Sequence, residues 1–90
     1  MKFTVYILRT SNNTLYIGQT NNLPRRLEEH KTDKNKSAKY LRYFSSFDLV
    51  YSEEYSDRSS AMKREFQLKG WTRAKKEALI DNNLQLLKKL

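Results

Sequence analysis

VYILRT (residues 5–10) and LYIGQT (residues 15–20) read as one short phrase written twice, each an apolar residue followed by Tyr-Ile or a close equivalent. The first phrase lies in KFTVYILR (residues 2–9), where Phe3, Val5 and Ile7 alternate with Thr4, Tyr6 and Leu8, the two-residue period of a strand. Ser11-Asn12-Asn13 supplies turn residues, and TLYIGQ (residues 14–19) follows as a second strand, so the pair predicts a hairpin. Burying Ile7 beside Leu15 and Ile17 fixes the parity of the pairing, because a one-residue slip turns every side chain over. That parity puts Tyr6 and Tyr16 on one face, near or opposite each other. Gly18, one of only two glycines, then bares backbone two residues from Tyr16. A glycine inside a strand marks close approach by a ligand or another backbone.

Working outward, NNLPRRLEEHK (residues 21–31) predicts a helix over about 23–32, with Asn21 or Asn22 as its cap and Pro24 in the first turn. Leu23 and Leu27 make its buried stripe, with Arg26 and His30 one turn apart at the border of core and solvent. Residues 33–46 read as a polar, basic loop with a helical turn near 38–43. FDLVYSEEY (residues 47–55) reads as a third strand, Phe47, Leu49 and Tyr51 alternating against Asp48, Val50 and Ser52. Asp57 or Ser59 caps a helix running to about Gly70. At 100° per residue, Ala61, Met62, Phe66 and Leu68 define its apolar arc, and Glu65 falls inside it. A carboxylate within a buried stripe is unusual without a partner. Phe66 and Trp71 read as core. Thr72 caps a further helix to about Ile80, and residues 84–90 continue helically. The expected fold is α+β: a small three-stranded antiparallel sheet flanked by helices in the order β-β-α-β-α-α. A single domain spans residues 1–90, with a motif-bearing core over 3–80 and a helical extension over 81–90.

Composition narrows the function classes. Ninety residues without cysteine exclude a disulfide framework and thiolate metal sites. No stretch approaches the roughly 18 apolar residues of a membrane span, and the N-terminus lacks a signal-peptide core, so a cytoplasmic protein is expected. Eighteen Lys and Arg against ten Asp and Glu give a net charge of +8. Residues 34–47 carry Lys34, Lys36, Lys39 and Arg42 and no acid. Residues 58–76 carry Arg58, Lys63, Arg64, Lys69, Arg73, Lys75 and Lys76 against Glu65. Such stripes are the electrostatic footprint of nucleic-acid binding, although a solvated basic surface is the simpler reading of charge alone.

Tyr6, Tyr16, Gly18, Arg26, His30 and Glu65 together make the sequence resemble the GIY-YIG nuclease superfamily, especially its small stand-alone bacterial members. The first motif stands here as Thr4-Val5-Tyr6 in place of Gly-Ile-Tyr, and the second is intact as Tyr16-Ile17-Gly18. TNNLPRRLEEH matches the family's arginine-bearing helix, with Arg26 ten residues after Tyr16 and His30 four further on. DRSSAMKREFQLKGWTRAKKEALI (residues 57–80) matches the metal-carrying helix and its tail, with Glu65 at the metal position. Gln19 stands where some members carry a lysine. The resemblance covers about residues 3–80.

It implies a metal-dependent endonuclease acting on DNA, with RNA as an alternative, on branched, flapped or damaged forms. Tyr6, Tyr16, Arg26, His30 and Glu65 are the implied catalytic set. Glu65 holds one Mg²⁺ or Mn²⁺, an ion that needs few protein carboxylates because it keeps most of its waters. Arg26 holds a non-bridging phosphate oxygen with a planar fork. Tyr16 is the candidate general base or proton relay and Tyr6 positions the nucleophile; the resemblance leaves open which tyrosine carries the proton. His30 relays a proton or contacts phosphate. Gly18, expected to leave room for the phosphodiester, joins Gln19, Arg25, Lys36, Lys39, Arg42, Lys69 and Lys75 as the expected nucleic-acid contacts. Two other classes compete: a binding module without turnover, and an interaction module whose last helix, with Leu84, Leu86, Leu87 and Leu90, docks on a partner or a second copy. A monomer is expected, with a homodimer as the alternative.

Overall fold

A computed structural model describes residues 2–32 and 46–90. Strands β1 (Phe3–Thr10) and β2 (Leu15–Thr20) form the hairpin, followed by α1 (Leu23–Thr32), β3 (Phe47–Tyr55), α2 (Arg58–Lys69), α3 (Arg73–Ile80) and α4 (Leu84–Lys89). The sheet is antiparallel with order β2-β1-β3, so β2 is an edge. The hairpin turn closes on Thr10, whose N–H donates to Thr14 O (2.9 Å), and Asn13 takes the left-handed conformation (φ 61°). Asparagine tolerates that region better than most residues. Asn82 does the same at the end of α3 (φ 55°). Each helix start carries an oxygen cap: Asn22 accepts from Arg25 N, Asp57 from Ser60 N, Thr72 from Lys75 N and Asn83 from Leu86 N.

Both sheet faces are covered. Val5, Ile7 and Ile17 pack with Ala61, Leu68 and Leu79 from α2 and α3, joined by Trp71 and Leu87. On the other face, Tyr6 and Leu8 pack with Tyr16, Leu23 and Leu27, which brings α1 over that side, and with Phe47. Leu87 is the α4 leucine turned toward the core, while Leu84, Leu86 and Leu90 are exposed.

Two sequence expectations fail here for local reasons. β3 does not carry one apolar stripe. Ile7 pairs Tyr51 and Leu8 pairs Leu49, so a bulge inserts Val50 and reverses the parity. Phe47 and Leu49 therefore share the α1 face, whereas Tyr51, Glu53 and Tyr55 share the α2 face. There Arg64 Nε and the Tyr55 hydroxyl each donate to Glu53 Oε1 at 2.6 Å, and the Tyr51 hydroxyl donates to Glu53 Oε2. Burial works to raise the Glu53 pKa, but these donors outweigh it and hold the carboxyl below its usual range. The second failure is on α2, where Met62 and Phe66 are 48% and 82% exposed rather than in the core. Only Ala61 and Leu68 of the expected arc are buried, because α2 meets the sheet along a narrower line than the arc suggests.

Candidate active site

The β1–β2 register builds the site. Ile7 faces Ile17, Leu8 faces Tyr16, and Tyr6 faces Gly18. Tyr6 and Tyr16 are thus diagonal neighbours on one face, with ring centroids 6.4 Å apart. The space over Gly18 is not open for a substrate. An alanine Cβ there would stand 2.6 Å from the Tyr6 hydroxyl, 2.8 Å from Tyr6 Cζ and 3.2 Å from a Tyr16 ring carbon. The missing side chain makes room for the Tyr6 phenol itself, and Gly18 is buried beneath it. No positive φ requires glycine at this position.

α1 closes this face. Its cap at Asn22 sets the phase of the helix so that Arg26 and His30 reach the two phenols. His30 is not at a border: it is 6% exposed, more buried than Leu23 or Leu27. Its ring lies 5.8 Å from Tyr16 and 5.9 Å from Phe47, edge-on to both, and its Nε2 is 3.1 Å from the Tyr6 hydroxyl. Burial, reinforced by the Arg26 charge, pushes His30 down to about 4, so the imidazole is neutral at pH 7. The Arg26 guanidinium is a hydrogen-bond partner of the Tyr6 phenol and donates to Glu29 Oε1 at 3.3 Å. Arginine can only donate, so the Tyr6 oxygen accepts from Arg26, and the same hydroxyl is hydrogen-bonded to the neutral His30 at Nε2. Burial, and then the nearby Tyr16 phenol, push Tyr6 up to about 12. Tyr6 stays protonated. For Arg26, burial opposes the charge, but Glu29 and Tyr6 outweigh it and raise its pKa. Glu29 was absent from the sequence expectations, although its i,i+3 spacing from Arg26 was visible.

The α2 side reaches the same edge strand. Leu15, Tyr16 and Ile17 line a depression with Lys69 and Lys76, and Lys69 also lines an adjoining one with Met62, Glu65 and Phe66. The Glu65 carboxylate pairs with Lys69 Nζ at 2.9 Å, and its charge is felt by the Tyr6 phenol. Among the described residues, no cluster of three or more His, Asp or Glu could hold a metal. A single partly buried carboxylate with an exposed ammonium as counter-ion suits only a hard cation that keeps its waters, and on that chemistry Glu65 fits Mg²⁺ or Mn²⁺.

The remaining expected contacts divide. Lys69 lines both depressions. Arg25 is exposed at the start of α1. Gln19 pairs with Val5, so it lies on the face opposite the tyrosines, in a depression with Phe3, Thr20, Asn21 and Arg58. Lys75 stands over the Trp71 ring, 5.4 Å from its centroid, and the Arg64 guanidinium lies over the same ring at 5.0 Å. Lys36, Lys39 and Arg42 lie outside the described residues.

Two phenols from β1 and β2 thus meet a guanidinium and an imidazole from α1 on one face of the sheet, and the sequence places the chain in a family. Residues 2–78 match the GIY-YIG catalytic domain, and the chain belongs to that nuclease family. It is 43% identical over 76 residues to a UPF0213 protein of Natronomonas pharaonis, covering 84% of this chain and 87% of that one. It is 42% identical over 77 residues to one of Oceanobacillus iheyensis, covering 86% and 87%. The solution structure of a UPF0213 protein from Bacillus halodurans superposes with a TM-score of 0.59 at 34% identity, covering 90% of this chain and 84% of that one. A protein from E. faecalis gives 0.65 at 29% identity, covering 94% and 88%. Among the described residues no helix is long and apolar enough to cross a membrane.

The packing over Gly18 makes a direct prediction. Gly18→Ala should destabilise the fold by about 1–3 kcal/mol, because the Tyr6 ring end it strikes is buried and bonded to His30. Gly70→Ala is the control: its nearest neighbour would be Gln67 O at 3.6 Å, and φ is −85°. That variant should be neutral or slightly stabilised. Denaturant midpoints of the two variants measure the difference, and equal midpoints would refute the packing.

Proposed function

We propose that this protein is a divalent-metal-dependent endonuclease that hydrolyses phosphodiester bonds in DNA and selects substrates by structure rather than sequence. The observation that carries this reading is the grouping of Tyr6, Tyr16, Arg26 and His30 on one face of the hairpin, with Tyr16 on edge strand β2 sharing a depression with Lys69, the ion-pair partner of Glu65.

The two phenols divide the work because their surroundings differ. Tyr6 is 1% exposed and held as a phenol near 12, so it does not take a proton from water. Its hydroxyl fixes the neutral His30 and Arg26. Tyr16 is only partly buried and faces the depression shared with Lys69 and Lys76. It orients the attacking water and relays its proton to solvent as the water oxygen bonds to phosphorus. The leaving oxygen takes a proton from solvent in turn. Arg26, desolvated and always charged, holds a non-bridging oxygen where negative charge grows, and Glu29 keeps the guanidinium aimed before substrate arrives. Glu65 would hold one Mg²⁺ or Mn²⁺, which when bound supplies Lewis-acid stabilisation of the phosphate and leaving oxygen. Lys69, Lys76 and Arg25 give affinity through backbone charge, which carries no sequence information.

Nicking of supercoiled plasmid is the test. Cleavage should appear with Mg²⁺ or Mn²⁺ and disappear with EDTA. A chain that binds DNA yet cuts no plasmid, flap, junction or RNA would instead be a non-catalytic binding module.

A further inference from the structure

α2 exposes an apolar pair that folding does not use. Met62 and Phe66 are one helical turn apart and 48% and 82% exposed. Burying a phenylalanine is worth about 1.5–3 kcal/mol, so leaving one in water calls for another reason. The pair lines one depression with Glu65 and Lys69. Lys69 also lines the next depression, where Lys76 stands beside Tyr16. The two depressions, which share Lys69, together present an apolar ring, a carboxylate, two ammonium groups and a phenol. A second copy of this chain would bring more positive charge against Lys69 and Lys76, on a molecule already at +8. A polynucleotide satisfies both halves of the surface, because its phosphates meet the ammonium groups and its bases offer flat apolar faces.

We propose that Phe66, flanked by Met62, is a stacking platform for one unpaired nucleobase next to the phosphate that is cut. This inference rests on the nuclease reading and adds a substrate determinant to it. In an intact duplex both faces of each base are covered by its neighbours. Phe66 is therefore reached only by a nucleotide that is single-stranded, flapped or displaced. Stacking accepts any base, so the platform selects strand structure without reading sequence.

The test is binding in EDTA, where no cutting occurs, to a short oligothymidylate and to an abasic strand with the same number of phosphates. Phe66→Ala should weaken binding to oligothymidylate about tenfold and leave the abasic strand and a blunt duplex unchanged. Phe66→Tyr should restore it and Phe66→Leu should not. Because Phe66 is so exposed, all three variants should keep the wild-type melting profile. Equal loss on both strands, or no loss on either, overturns the platform while leaving the nuclease reading standing. A wild-type protein that binds neither strand nor duplex removes the nucleic-acid reading itself. A dimer that dissociates on Phe66→Ala, with both affinities intact, would make the patch a self-interface and overturn the proposal.

Discussion

Glu65→Ala should abolish plasmid nicking, a loss of about 10³-fold or more, and should leave the fold intact and DNA binding equal or tighter. The loss follows from removing the carboxylate that lines the Lys69 depression and would hold a hard cation, since electrostatic groups of this kind carry about 10²–10³-fold or more each. The fold should persist because the partner removed is Lys69, an exposed i,i+4 pair worth only about 0.3–0.5 kcal/mol. The sign of the binding change is the sharper part. Glu65 is a negative charge in a depression that otherwise presents Lys69, so its removal takes away a repulsion toward phosphate. Single-turnover nicking and fluorescence anisotropy on the same variant separate the two effects. Undiminished cleavage would put the metal elsewhere, and cleavage lost together with binding would make Glu65 a structural residue.

Much of the site could be read from the sequence, for a physical reason. Hairpin parity is a binary choice, and Ile7, Leu15 and Ile17 decide it, which places Tyr6 and Tyr16 on one face. Helix phase is nearly as constrained. The Asn22 cap and the Leu23 and Leu27 stripe bring Arg26 and His30 to the border of core and solvent, and only packing against Tyr6, Tyr16 and Phe47 shows that His30 is buried. What escaped the sequence are features that depend on a second element. The bulge at Val50 shows only against β1, where Ile7 and Leu8 skip a residue. The Arg9–Glu77 ion pair is likewise long-range. Arg9 reaches Glu77 across 68 positions, at 2.6 and 2.9 Å, and Arg73 pairs with the same carboxylate. The Arg9 hydrogen bond is the main reason Glu77 is held at about 2. Gly18 shows the limit of one-dimensional reading. A glycine in a strand announces a close approach, but only the register reveals that the approaching group is the Tyr6 phenol. Met62 and Phe66 fit an apolar arc by angle, yet a helix buries only the width that its neighbours cover.

The two tyrosines should respond differently to loss of a hydroxyl, although each substitution removes one oxygen. Tyr16→Phe should lower cleavage by about 10²–10⁴-fold, the usual worth of a proton-transfer group, with stability unchanged. Its ring contacts with Tyr6 and His30 survive in phenylalanine, and the lost hydroxyl belongs to a partly exposed residue. Tyr6→Phe should lower both. It leaves the buried Nε2 of His30 without its partner, which costs about 1–3 kcal/mol, and it releases Arg26 from the phenol oxygen that helps to aim it. The Tyr6 variant should also let His30 titrate differently, since the ring loses its hydrogen-bond partner while the Arg26 charge remains nearby. Urea midpoints, nicking rates and the His30 ring signals in a proton NMR titration of the two variants read these outcomes together. Matching stability losses in both variants would mean that Tyr16 is packed like Tyr6 and is not the solvent-facing relay. A Tyr6→Phe protein with full activity would show that Arg26 and His30 hold their places without the phenol, and the division of labour between the two strands would have to be redrawn around α1 alone.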